Sequence, residues 1–232
     1  MVSFEVFRNN LELIRRRVRS ACQSVGRSAE DVQILPVTKR HPIGAIHYAT
    51  RSGLRTVGEN RVHEAKQKKP LVTDGTRLEL IGHLQTNKAK DAVSIFDRIQ
   101  SVDSLKLMSH LNHRAESIDK SLPILIQCNS GNDPKKFGFE PEEMQTALES
   151  ALEASNLRVD GLMAIAPLSD DMDVAKEAFE NLRDIRDRLA DGFGVLLPEL
   201  SMGMTKDLEI AIAAGSTQVR VGTALYGPRE PL

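Results

Sequence analysis

From residue 4 to residue 24 the apolar side chains Phe4, Phe7, Leu11, Ile14, Val18 and Cys22 recur every three or four positions, with Arg15, Arg16, Arg17 and Arg19 on the remaining faces. That period belongs to an amphipathic α-helix, and its arginine-rich side reads as a solvated face. Beyond residue 30 the pattern changes. Short apolar runs at 32–38, 56–58, 78–82, 97–101, 123–128, 157–163, 199–202 and 218–221 alternate with longer stretches of helical spacing, among them 104–117, 141–154, 174–189 and 205–214. Runs of that length, bounded by glycine or polar turns, predict buried strands. Eight strand-and-helix repeats predict an α/β chain folded as a (β/α)8 TIM barrel over 1–232, a single domain with the helix of 1–25 packed on its outside. An open doubly wound sheet alternates in the same way. The first strand here, however, runs into Lys39-Arg40-His41-Pro42, not into the glycine-rich turn of a dinucleotide fold.

Charge narrows the function classes. Lys plus Arg number 31 against 32 Asp plus Glu, so no overall field draws nucleic acid or an anionic membrane. The start, Met1-Val2-Ser3-Phe4-Glu5, lacks the order of a signal peptide, and no apolar run reaches membrane-spanning length, which predicts a cytoplasmic protein. Cys22 and Cys128 have neither metal-ligand nor redox spacing and are expected to be small buried fillers; no metal site is expected.

Polar residues and glycines collect just after the strand candidates, at the end of a barrel where sites are built. Lys39 closes the first strand. By itself it reads as one more solvated lysine, yet a partly desolvated amine in that position can lose its proton and attack an aldehyde. Gly58-Glu59-Asn60-Arg61 follows the second strand, Gly82 to Lys88 the third, a polar loop with Asn129, Ser130, Asn132, Lys135 and Lys136 the fifth, and Met163 to Pro167 the sixth. The last two turns, Ser201-Met202-Gly203-Met204-Thr205 and Arg220-Val221-Gly222-Thr223-Ala224, each bring glycine and a hydroxyl to a helix start. Such turns suit a phosphate; each alone reads equally well as a capped helix. Together they place a phosphate cup across the barrel from Lys39. An aldehyde bearing a phosphate fits both features, and pyridoxal phosphate is that molecule. Arg220 would then face the pyridine nitrogen and disfavour its protonation, leaving a weaker electron sink than a carboxylate partner gives.

Several segments resemble a known family, the pyridoxal-phosphate homeostasis proteins, also called the YggS/PROSC family. They are Pro36-Val37-Thr38-Lys39, Val57-Gly58-Glu59-Asn60, Ile81 to Lys88, Gly161-Leu162-Met163-Ala164-Ile165, Leu200 to Met204 and Ala213 to Thr223, an ordered set covering nearly the whole chain. The resemblance implies a fold-type III barrel like the N-terminal domain of alanine racemase, with Lys39 holding the cofactor as an internal aldimine. It implies that Asn60 and Met163 flank the ring, that Arg220 faces its nitrogen, that Ser201, Gly203, Gly222 and Thr223 hold the phosphate, that Met204 is a further cofactor-binding residue, and that Lys136 makes a further vitamer contact. Many relatives have a second lysine where this chain has His41.

The function implied is to bind, buffer and deliver pyridoxal 5'-phosphate and other B6 vitamers, possible recipients being PLP-dependent apo-enzymes, with effects on amino-acid and keto-acid balance. A racemase of this fold needs a second base, typically a tyrosine from another domain. The sequence ends directly after the eighth helix pattern, and its only tyrosines, Tyr48 and Tyr226, read as structural. A carrier without turnover, monomeric, is therefore the expectation. A small racemase with Lys39 as base is the alternative, and an interaction module using the arginine face is a third reading.

Overall fold

The computed structural model describes residues 1–228, so the last four residues of the 1–232 unit lie outside the described residues. Helix α1 (Phe4–Ser24) is capped by Ser3, whose hydroxyl accepts the Val6 amide at 3.3 Å. It buries Phe7, Leu11, Ile14, Val18, Ala21 and Cys22. That stripe packs on the outside of the barrel, against α8 (Leu208–Ala213) and α9 (Thr223–Tyr226).

The strands are β1 (Gln33–Pro36), β2 (Thr56–Glu59), β3 (Arg77–Leu80), β4 (Arg98–Val102), β5 (Leu122–Gln127), β6 (Leu157–Met163), β7 (Glu199–Ser201) and β8 (Gln218–Val221). The remaining helices are α2 (Gly44–Arg51), α3 (Val62–Lys68), α4 (Ala89–Ile95), α5 (Leu105–Glu116), α6 (Met144–Glu153) and α7 (Met172–Phe193). All strand pairs are parallel, in the order β1-β8-β7-β6-β5-β4-β3-β2. The ring closes between β1 and β2 at the bridge Val37–Gly58, reinforced by the Thr38 amide donating to the Gly58 carbonyl at 2.9 Å. This is the (β/α)8 barrel read from the sequence.

The strands match the predicted runs to within one or two residues at each end, and β1, β3 and β7 are shorter. β3 stops at Leu80 rather than Gly82, and β7 at Ser201 rather than Met202. At the first, Gly82 is pressed against Asn60; at the second, Gly203 turns the chain away with φ +94°. The main apolar core lies between strands and helices, where outward residues such as Ile34, Val57, Leu78, Ile99, Ile124, Leu162 and Val219 meet the helix stripes. Inside the barrel Leu35, Val37 and Ile81 form a small apolar cluster of their own.

The arginine face of α1 is not simply solvated. Arg17 Nε and Nη2 donate to the two Glu209 carboxylate oxygens at 2.6 and 2.8 Å, and Nη2 also reaches the Thr205 carbonyl at 2.8 Å. Arg15 reaches the Ser52 carbonyl at 3.2 Å. Glutamate and carbonyl acceptors on packed neighbours override the helix's own pattern, which shows only that the residues are polar.

Gly161 decides how closely β6 and β7 pair. Its φ is +155°, and a Cβ there would lie 2.0 Å from the Glu199 carbonyl oxygen. Gly161→Ala is expected to destabilise the fold by about 3 kcal/mol, because neither backbone can give way without breaking the ladder. A urea-denaturation midpoint unchanged from the parent would contradict this.

Candidate functional site

The alternation of β1 decides where Lys39 stands. Gln33 accepts the Gln218 side-chain amide inside the barrel at 2.9 Å, and Leu35 and Val37 share the interior cluster, so odd-numbered residues face inward. Thr38 faces outward, its hydroxyl donating to Glu59 Oε1 at 2.6 Å. Lys39 follows it and is half-buried. It occupies the second position of a β-turn closed by the His41 amide on the Thr38 carbonyl at 3.1 Å. Arg40, third in that turn, has φ 61°, a left-handed conformation that costs a non-glycine residue about 1–2 kcal/mol. His41 is buried behind the strand with its ring against Tyr226, centroids 5.1 Å apart.

Strand order corrects one expectation. The turn after β8 does not lie across the barrel from Lys39: Pro36 pairs with Val221, so the Gly222-Thr223 turn and Lys39 end neighbouring strands. Thr223 is exposed there and Gly222 precedes the first turn of α9, whose leading amides have no intrahelical acceptor. Gly203 ends β7 beside it, receiving the Arg220 amide on its carbonyl at 2.9 Å. A Cβ on Gly203 would lie 2.4 Å from that of Ala211, so glycine lets the turn sit against α8. Met204 is exposed, its amide donating to Asp207 Oδ1 at 2.5 Å.

Beneath these turns lies Arg220, only 4% exposed. Its Nη1 donates to the Ser201 carbonyl at 2.6 Å and the Ser201 hydroxyl at 2.9 Å, and its Nη2 to the Ala164 carbonyl at 2.7 Å. Burial pulls the guanidinium down to about 10, with Asp207 opposing, so it stays a cation at neutral pH. Ser201 sits against this guanidinium. Its hydroxyl is fully buried inside the barrel, donating to Gln100 Oε1 at 2.6 Å and meeting Gln218 Oε1 at 3.1 Å. An inward strand position brings it onto Arg220.

The other predicted residues line the same end. Asn60 is half-buried after β2, and Gly82 makes room for it: a Cβ on Gly82 would lie 2.3 Å from the Asn60 carbonyl oxygen. Met163 is fully buried at the end of β6, in register with Ser201, and belongs to neither apolar cluster. Lys136 is half-buried in the loop after β5, which folds back so that the Gln127 side-chain amide reaches the Phe137 carbonyl at 2.7 Å. Two residues there were not read from the sequence as a pair. Phe137, 55% exposed, stacks on the His83 ring with centroids 3.8 Å apart, and His83 Nδ1 lies 2.6 Å from Asp103 Oδ2. No fixed spacing links these residues; only the loop's fold joins them.

The cysteines, the tyrosines and Arg98 pack away from this mouth. Cys22 and Cys128 are both buried, and burial pushes the Cys128 thiol up to about 12, far from a reactive thiolate. Tyr226 donates its hydroxyl to the Ala45 carbonyl at 3.1 Å, and Tyr48 packs against Phe4 and Phe7. Arg98, near Glu79, Asp160 and Glu199 at 3.0–3.6 Å, fills the opposite end of the barrel.

Residues 8–230 match the family described as alanine racemase, N-terminal domain. A pyridoxal phosphate homeostasis protein of Aquifex aeolicus is 36% identical over 221 residues, covering 95% of this chain and 97% of the relative. PipY of Synechococcus elongatus PCC7942, a structure with PLP bound, superposes with a TM-score of 0.80 at 35% identity over 92% of this chain and 100% of PipY. An alanine racemase of Clostridium difficile shares the fold, with a TM-score of 0.78 at 17% identity, over 98% of this chain and 58% of that one.

Arg220 holds three acceptors that a single ammonium cannot reach with the same fork geometry. Arg220→Lys is expected to lower the stability of the ligand-free protein by about 1–3 kcal/mol through buried carbonyls left unpaired. Chemical denaturation tests this, and parental stability would contradict it.

Proposed function

We propose, from the premise that this chain belongs to the alanine racemase N-terminal domain family and within it to the pyridoxal phosphate homeostasis proteins, that it binds pyridoxal 5'-phosphate at the C-terminal mouth of its barrel and holds it reversibly through Lys39. The observation carrying this reading is the neighbourhood of β1 and β8, which sets the Lys39 turn beside the Gly222-Thr223 turn with Arg220 below. The donor set fits the group. An amine suits an aldehyde, uncapped amides and a hydroxyl suit a phosphate, and a fixed guanidinium suits an unprotonated ring nitrogen. When bound, pyridoxal phosphate supplies an aldehyde that condenses reversibly with amines and a phosphate that anchors it.

In this proposal Lys39 is the covalent anchor, and Asn60 and Met163 flank the ring. Arg220 faces the ring nitrogen as a cation, disfavouring its protonation, and Ser201 orients Arg220 from beneath. Gly203, Met204, Gly222 and Thr223 hold the phosphate, Met204 by giving up its present bond to Asp207. Lys136 reaches the vitamer from the loop after β5. His41, buried against Tyr226, does not take the part of a second amine.

The function is vitamin B6 homeostasis without turnover, in the cytoplasm, by a monomer that passes its cargo to PLP-dependent apo-enzymes and so affects amino-acid and keto-acid balance. Two facts support the absence of turnover: the relatives are named homeostasis proteins, and both tyrosines lie where they cannot serve as a second base. Among the described residues no helix is long and apolar enough to cross a membrane.

Lys39→Ala is expected to lose all borohydride-fixed pyridoxyl label while keeping weak binding that inorganic phosphate displaces. Label retained by the variant would overturn the anchor. Incubating the PLP-loaded protein with L-amino acids in deuterated water separates carrier from racemase. Little α-proton exchange is expected, and rapid exchange would establish an enzyme.

A further inference from the structure

Both peptide groups that flank Lys39 are held by one helix. The Thr38 carbonyl, before it, accepts Lys68 Nζ at 2.9 Å, and the Arg40 amide, after it, donates to Glu64 Oε2 at 2.9 Å. Glu64 and Lys68 stand one turn apart on α3, so their side chains share a face. Each contact matches charge to peptide polarity, cation on carbonyl oxygen and carboxylate on amide. Both belong to the stronger, charge-assisted class of hydrogen bond.

The Lys68 end is fixed from behind. Its ammonium lies 2.6 Å from Glu59 Oε1, the same oxygen that takes the Thr38 hydroxyl at 2.6 Å. The Glu59 side chain is fully buried and that of Lys68 only 11% exposed. Burial raises the Glu59 carboxyl above its ordinary range against the pull of Lys68, so this pair is an expensive way to gain stability alone. What it gains is geometry. Arg40 keeps its left-handed φ of 61° between these two anchor points, and a turn so conformed relaxes unless its surroundings hold it.

We propose that Glu64 and Lys68, backed by Glu59, are the positioning residues of Lys39. They hold its turn so that the amine meets the mouth before any ligand arrives. The proposal rests on Lys39 being the anchor argued above. It also joins two parts of the site, since Asn60 lies between Glu59 and α3 on the segment that supplies the clamp. A cofactor-flanking residue and the hold on the anchor thus move together.

The test uses two variants of the full chain. Glu64→Ala removes the partly exposed arm and leaves the buried pair intact. Glu59→Gln with Lys68→Met removes both buried charges at similar volume. In the vitamer-free protein, hydrogen exchange is followed across residues 37–41. With saturating PLP, the rate at which borohydride-fixed label appears on Lys39 is measured, alongside the affinity for inorganic phosphate. Exchange about tenfold faster and labelling about tenfold slower, with phosphate affinity unchanged, is the expected result for each variant. Parental exchange and labelling rates in Glu64→Ala overturn the proposal, even if melting temperature falls. Should the double variant not fold, Glu64→Ala decides alone. If the parent takes no label on Lys39, the cofactor reading fails, while the exchange measurement still decides whether α3 holds the turn.

Discussion

A ring of eight parallel strands must close, and this one closes at a single bridge between β1 and β2, two residues before Lys39. Elsewhere β5 and β6 share a ladder of six residue pairs, whereas the seam has Val37 against Gly58 and little else. Thr38 therefore uses every polar group it has. Its amide goes to Gly58, its hydroxyl to Glu59, and its carbonyl takes Lys68 and the His41 amide. Closing the barrel and placing Lys39 are one structural event. Loosening the seam would free the amine and open the ring together.

The inside of the barrel shows what the fold spends stability on. The main core outside the ring is built from apolar residues, but the interior carries Gln100, Gln218, Ser201 and Arg220 in a connected set of hydrogen bonds. An interior of aliphatic side chains would stabilise the ring at lower desolvation cost. The polar column instead fixes a guanidinium directly below the mouth, with its donors on Ser201 and Ala164. A cation tied to backbone carbonyls cannot swing, so its charge is constant in place as well as in sign. That suits the proposed role of Arg220, which is to face a ring nitrogen without protonating it.

Sequence patterns carried the architecture because burial leaves a period. The bounds of α1, β6 and β8 were legible to the residue, since each apolar pattern starts and stops with its element. The site residues were legible as a cluster of strand ends, yet their arrangement was not. β1 and β8 lie at opposite ends of the sequence and adjacent in the ring, so only closure reveals that Lys39 and Gly222-Thr223 are neighbours. The hold of α3 on the Lys39 turn was hidden more deeply. Lys68 and Glu64 bind main-chain atoms, which every residue possesses, so no spacing in the sequence betrays them.

The central claim is that one lysine, at the seam of the ring, is the reversible covalent anchor for pyridoxal phosphate. Its most direct measurement is peptide mapping by mass spectrometry of the full chain loaded with pyridoxal 5'-phosphate and reduced with borohydride. The account predicts a pyridoxyl group on Lys39, lost when an amino acid is added before reduction. Label centred on Lys68, Lys136 or another lysine, or none at all, would contradict it.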